Sequence, residues 1–154
     1  MSDRLDRFVD AQNAADAGYP SALDEIRHGR KRSHWIWYVF PQLAGLGQSP
    51  AAQTYGIAGR AEALAYLRHR VLRDRLLEIA TAVAGELRAG TSLRSLMGSD
   101  IDARKVVSSM TLFATVGEGV DDEVARAARE ILDLAAAQGY APCEYTRTAL
   151  QHSR

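Results

Sequence analysis

The chain has 154 residues, of which 47% are hydrophobic and 25% are charged. This length suits one domain, and the apolar content is too high for an intrinsically disordered protein. Nineteen basic residues balance nineteen acidic ones, so the chain lacks the overall positive field of a protein built to hold nucleic acid, and we expect no nucleic-acid partner.

Cysteine usage and hydropathy predict a cytoplasmic protein. The only cysteine is Cys143, and one thiol cannot form an intramolecular disulfide. The first residues have no apolar signal core. The longest strongly apolar stretch, Trp35 to Phe40, is far shorter than the roughly 20 residues of a spanning helix, so we expect no membrane association.

Helical spacing of apolar residues begins at the N-terminus. Leu5, Phe8 and Val9 predict a first helix, which Gly18 ends because glycine readily adopts the left-handed conformation after a helix. Pro20 suits the first turn of a second helix.

The segment Ser33 to Phe40 is ambiguous. Its aromatic and β-branched residues favour a strand, whereas Ser33 is a suitable cap for a short helix that runs to Pro41. We favour the helix, because no other segment resembles a strand that would pair with this one, and a lone strand leaves its backbone groups unsatisfied.

The rest of the chain repeats the helical pattern. A short helix opens at Ser49-Pro50, another runs from Arg60 to His69, and a short turn lies around Leu93 and Leu96. The clearest face, before Gly90, contains Leu72, Leu76, Ile79, Ala80, Val83 and Leu87. Two more helices place Val106, Val107, Met110 and Phe113, and then Val124, Ala127, Ala128, Ile131 and Leu134, on their inner sides. The sequence thus predicts an all-α fold, a compact single-domain bundle of about seven to nine mostly short helices over residues 1–140, and a polar C-terminal tail over residues 141–154.

Several segments resemble one known family. They are GRKRSHWIWYVFPQ (29–42) with Gly45-Leu46-Gly47 and Ser49-Pro50, RFVDAQ (7–12), EALAYLRH (62–69) and KVVSSMTLF (105–113). Together they resemble the family called domain of unknown function 1810. The resemblance implies a small, mainly helical bacterial protein without an established activity. Some members carry the label calpastatin, but calpastatin is a disordered inhibitor and this composition predicts a folded core.

A first candidate site lies before Ser33. Arg30, Lys31 and Arg32 precede the predicted helix start, and a helix N-terminus with guanidinium groups nearby suits an anion such as phosphate. Trp35, with Trp37 and Tyr38, offers flat faces for a base or a cation. The alternative is a solvated basic turn followed by tryptophans that fill the core.

The helix around residue 109 is the second candidate. Its hydroxyl residues Ser108, Ser109 and Thr111 can donate to a ligand or bond back to the helix backbone, which is the commoner use. Asp102 and Lys105 lie one turn apart, and an exposed pair of this kind contributes only about 0.2 to 0.5 kcal/mol.

The preferred hypothesis joins the two candidates in one site for a phosphate-bearing nucleotide or an ADP-ribose-like small molecule, with hydrolysis of that molecule as its enzymatic form. The predicted ligand-binding residues are Arg30, Arg32, Ser33, His34, Trp35, Lys105 and Ser109, and His34 and Asp102 are the catalytic candidates. An N-glycosidic cleavage requires a carboxylate, for which Asp102 or Glu62 is available.

No motif predicts a metal site or a bound cofactor. The competing hypothesis is a non-enzymatic oligomeric interaction or regulatory module, including a homo-oligomer, in which Trp35, Trp37 and Tyr38 form a partner surface. Buried tryptophans beside a polar cleft would favour the ligand hypothesis, whereas exposed tryptophans on a flat patch would favour the partner surface.

Overall fold

Ten helices form the regular structure of residues 2–152, the part of the chain that the computed structural model describes; side chains are described from Arg4 onwards. They are α1 (Ser2–Gln12), α2 (Tyr19–Arg27), α3 (Ile36–Val39), α4 (Pro50–Thr54), α5 (Arg60–Arg68), α6 (Arg70–Arg88), α7 (Leu93–Met97), α8 (Asp100–Gly117), α9 (Asp122–Ala137) and α10 (Glu144–Gln151). Within these residues the strand-like pairing is one parallel bridge between Leu43 and Ile57. The predicted all-α, single-domain fold is confirmed.

Helix α8 is the centre of the bundle. It contacts α3, α5, α7, α9 and α10, and almost all of its residues from Ala103 onwards are buried. A helix that is apolar nearly all round is stable only when it is surrounded. The hydroxyl of Ser99 caps it by accepting a hydrogen bond from the backbone N–H of Asp102 at 3.1 Å.

Helix α6 forms the second layer with α9 and α2. Its predicted inner face is confirmed, since Leu76, Ile79 and Val83 are at most 1% exposed. Together with α8, this layer surrounds a continuous apolar core to which every helix except the short α4 contributes buried side chains.

The ambiguous segment after Ser33 is helical, but it forms only one turn, Ile36–Val39. That turn contacts α1 and α8, which places the aromatic run directly against the central helix. Pro41, which cannot donate a backbone hydrogen bond, follows the turn and limits its length.

The chain after residue 140 is packed on the domain and does not form the loose polar tail that the sequence suggested. Helix α10 contacts α8, and its Thr146 and Leu150 are at most 2% exposed. These two residues lie four apart, on one side of a helix. With only two such residues, the pattern was too short to distinguish an amphipathic helix from a polar tail.

None of the described helices is both long enough and apolar enough to cross a membrane.

Candidate functional site

The turn between α2 and α3 is wrapped around a carboxylate of the protein itself. Oε1 of Glu25 accepts hydrogen bonds from the backbone N–H groups of Arg32 and Ser33, at 2.6 and 2.9 Å, and from the indole Nε1 of Trp35 at 2.9 Å. Oε2 accepts from the hydroxyl of Ser33 at 2.6 Å. Burial alone would raise the pKa of Glu25, but the hydrogen bonds outweigh it and lower the pKa to about 2.

This arrangement changes the predicted role of Ser33. The serine does not cap α3, whose N-cap is Trp35 without a side-chain hydrogen bond. The N–H groups that the sequence offered to an external phosphate instead bind Glu25. An internal carboxylate therefore holds the basic turn in place.

Lys31 lies between a tryptophan and an aspartate. Its side chain is only 7% exposed, and its Nζ is 3.0 Å from Oδ2 of Asp102. The same Nζ lies 5.3 Å from the ring centre of Trp35, and the backbone N–H of Lys31 donates to the carbonyl of Leu96 at 2.7 Å. A buried ammonium needs such partners, because an unpaired charge in the interior is very costly.

A second lysine reaches the same carboxylate. Nζ of Lys105 is 3.5 Å from Oδ1 of Asp102 and 4.9 Å from the ring centre of Trp37. The side chains of Lys105 and Asp102 are 22% and 18% exposed, so the pair is not the solvated surface pair considered from the sequence. We call Lys31, Trp35, Trp37, Asp102 and Lys105 the lysine–tryptophan cluster. It carries two positive charges and one negative charge.

Two polar atoms, one in this cluster and one on the helix that carries Asp102 and Lys105, are buried without a hydrogen-bond partner in the described part of the chain. They are Nε1 of Trp37 and Oγ of Ser109. Ser109 follows Lys105 by four residues on α8, so both belong to the helix face that also includes Asp102. Buried polar groups are normally paired, and each exception calls for an explanation.

Comparisons with known proteins support this fold and give no activity. A family model described as protein of unknown function (DUF1810) matches residues 2–135. The chain belongs to the DUF1810 family. A crystal structure of the conserved hypothetical protein Rv1873 from Mycobacterium tuberculosis is similar to it, with 40% identity, a TM-score of 0.79 and coverage of 96% of both chains. A comparison with curated proteins found no match.

Three predicted site residues of this DUF1810 chain lie apart from the cluster. Arg30, Arg32 and His34 are exposed, and within the described residues their side chains make no hydrogen bond or ion pair. Trp35 and Ser33 are brought together by Glu25, and Lys105 lies with Asp102. The predicted ligand-binding residues therefore fall into three groups: those bonded to Glu25, those in the lysine–tryptophan cluster, and those in the exposed basic turn.

Two residues of the cluster, Lys31 and Trp37, are not among the binding residues that the sequence predicts. A signal for Lys31 exists in the composition: the chain contains 17 arginines and only two lysines, Lys31 and Lys105. Both lysines contact Asp102. An ammonium is a compact point charge on a flexible stem, whereas a guanidinium is a planar fork, so the two choices are not equivalent at a crowded carboxylate.

Two other polar candidates, Thr111 and Glu62, have structural partners. Thr111 donates its hydroxyl to the carbonyl of Val107 at 2.8 Å and accepts from the backbone N–H of Cys143 at 3.0 Å. Glu62 accepts from Arg7 and from Arg4, and those hydrogen bonds outweigh its burial and lower its pKa.

Trp35, which the partner-surface hypothesis requires on the outside, is 0% exposed. Among the described residues, no group of three or more His, Cys, Asp or Glu side chains is arranged to hold a metal ion.

Proposed function

We propose that this protein binds a small anionic molecule at the lysine–tryptophan cluster, and that the ligand carries a phosphate, as a nucleotide or an ADP-ribose-like molecule does. The observation that carries the proposal is the buried, unpartnered indole N–H of Trp37, whose ring centre lies 4.9 Å from the ammonium of Lys105. The partly exposed Lys105 is the group that a ligand reaches first.

The chemistry of the free groups selects the ligand. An indole N–H and an ammonium are donors only, so the ligand must present hydrogen-bond acceptors. An ammonium that is only partly exposed favours an anion, because Coulomb interactions are stronger there than in water. Phosphate and carboxylate groups meet both requirements, and phosphate offers more acceptor oxygens.

Binding is better supported than hydrolysis. Each oxygen of Asp102 lies near a lysine ammonium, and this arrangement suits a carboxylate that holds two cations in position. Hydrolysis of an N-glycosidic bond is the enzymatic form of the proposal, with Asp102 as its carboxylate. Incubation with ADP-ribose or NAD, followed by chromatography, tests that form separately from binding.

The binding test is a titration of ADP-ribose, ADP and adenosine by isothermal calorimetry. Removing a hydrogen-bonded partner of a charged group costs about 1.5 to 3 kcal/mol, so Lys105→Gln should weaken binding of ADP-ribose or ADP at least about tenfold. Adenosine, which lacks phosphate, should bind much more weakly to the parent protein. Arg126→Gln is the charge-matched control, because Arg126 is exposed on α9.

Trp37→Phe separates binding from folding. The substitution keeps an aromatic ring and removes an N–H that has no partner, so the free protein loses no hydrogen bond, and any loss of stability comes from the smaller ring. Binding of the phosphate ligand should nevertheless weaken. The proposal fails if neither phosphate ligand binds, or if binding is the same in the parent, Lys105→Gln and Trp37→Phe proteins.

A further inference from the structure

A shallow basic depression lies on the surface beside the turn that follows α2. Its volume is about 340 Å³, and it is lined by Gly29, Arg30, Arg94, Ser95 and Gly98. Two arginines and a serine thus line one small space, and no acidic residue is among the lining residues. The depression shares no residue with the lysine–tryptophan cluster.

Both arginines are available for a ligand. The side chains of Arg30 and Arg94 are exposed and make no hydrogen bond or ion pair within the part of the chain that the structure describes. Other arginines of this protein have such partners; Arg73, for example, pairs with Asp121 and Glu123. An unpaired arginine is common on a surface, but two that line one depression are a specific arrangement.

Two carboxylates lie near the rim. Asp100 interacts electrostatically with Arg94, but its oxygens accept hydrogen bonds from Arg104 and from the hydroxyl of Tyr140. Oε1 of Glu86 is 3.9 Å from the point where a Cβ on Gly29 would lie. Neither carboxylate forms a salt bridge with Arg30 or Arg94 in the described part of the chain.

The backbone segments that carry the two arginines are fixed by their conformation and by a hydrogen bond between them. Gly29 and Gly98 have φ angles of +87° and +85°, a conformation that other residues adopt only with strain. The backbone N–H of Lys31 donates to the carbonyl of Leu96 at 2.7 Å, and this bond links the turn after α2 to α7. The segments that carry Arg30 and Arg94 are therefore connected to each other by a backbone hydrogen bond.

We propose that this Arg30–Arg94 depression binds the phosphoryl group of a small molecule, as a second anion site that does not depend on the lysine–tryptophan cluster. The planar fork of a guanidinium matches two phosphate oxygens at once. Two forks and the Ser95 hydroxyl supply enough donors for the oxygens of one phosphate. The sequence interpretation included Arg30 in a phosphate site, and the structure supplies Arg94 as its partner.

The probe for this site is inorganic phosphate, titrated at constant ionic strength with sodium chloride as the balancing salt. Backbone amide chemical shifts of Gly29, Arg30, Ser95 and Gly98 report binding at the depression itself. Arg30→Gln and Arg94→Gln should each raise the dissociation constant measured at these amides at least about tenfold. Arg68→Gln is the control, because Arg68 is exposed at the end of α5, and it should leave the constant unchanged.

Three results would overturn the proposal. The first is no phosphate-dependent shift at these amides, and the second is the same dissociation constant in the Arg30→Gln/Arg94→Gln double variant as in the parent. The third is an equal loss in Arg68→Gln, which would indicate a general charge effect.

Two further variants separate this site from folding and from the cluster. Arg30→Lys keeps the charge and loses the fork, so it should weaken phosphate binding even where Arg30→Gln affects folding; undiminished binding in Arg30→Lys counts against the proposal. Lys105→Gln should leave the shifts at the depression unchanged. If it abolishes them, the depression is not an independent site, whereas the proposed function of the cluster stands.

Discussion

The carboxylate of Glu25 should be one of the most important polar groups for the stability of this protein. Glu25→Ala removes the acceptor of the Trp35 indole N–H, and the side chain of Trp35 is 0% exposed. A buried donor left without a partner costs about 1 to 3 kcal/mol. The backbone N–H groups of Arg32 and Ser33 lose the same acceptor, but they are nearer to solvent and add less.

We therefore expect Glu25→Ala to reduce the free energy of unfolding by roughly 2 to 4 kcal/mol. For a chain of this length, that loss lowers the melting temperature by about 6 to 12 °C. Glu25→Gln keeps one acceptor oxygen without the charge, so its cost should be smaller. The matched control is Asp24→Ala, because Asp24 is the neighbouring acid on α2 and its side chain is 72% exposed.

The pH dependence follows from the low pKa of Glu25. Its pKa is about 2 in the folded protein and 4.5 ordinarily, so its stabilisation is complete above about pH 4.5 and is lost as the pH falls towards 2. Urea unfolding of the parent and Glu25→Gln proteins between pH 7 and pH 3 measures this. A cost of Glu25→Ala below half a kcal/mol, or a parent-to-Gln difference that does not shrink in acid, would refute the reasoning.

The remaining predictions concern packing and one ion pair, and urea denaturation at neutral pH measures each. Leu76→Ala should cost about 2 to 5 kcal/mol, because Leu76 is 1% exposed in the layer formed by α6 and α9; near-unchanged stability would contradict that placement. Leu150→Ala should also cost roughly 2 kcal/mol or more, and no loss would mean that α10 is not docked. Asp121→Asn should cost about 1.5 to 3 kcal/mol, because both oxygens of Asp121 accept from Arg73, at 2.8 and 3.1 Å. The pKa of Asp121 is lowered mainly by these bonds, so the difference from the parent should diminish as the pH falls below 3.8, and a difference that persists in acid would count against the ion pair.

The candidate site was only partly predictable, because its contacts join segments far apart in the sequence. Lys105 and Asp102 lie one turn apart, so their pairing was foreseen, but the contact of Lys31 with Asp102 spans 71 residues. The role of Glu25 was missed for another reason. In the sequence Glu25 is an ordinary acidic residue on an amphipathic helix. Its partners, Arg32, Ser33 and Trp35, contact it only because the following turn packs over the helix.

The amino-acid sequence by itself determined the all-α character, the positions of eight of the ten described helices and the inner face of α6, because helical periodicity and glycine stops act over a few residues. The tertiary structure alone decided that Trp35 is buried and that both lysines contact Asp102. It also decided that Glu25 accepts hydrogen bonds from N–H groups of the turn that the sequence had assigned to a ligand, and that Arg30 lines a depression with Arg94. The physical reason is that burial and charge pairing depend on which helices pack together, and the pattern within one helix does not specify its neighbours.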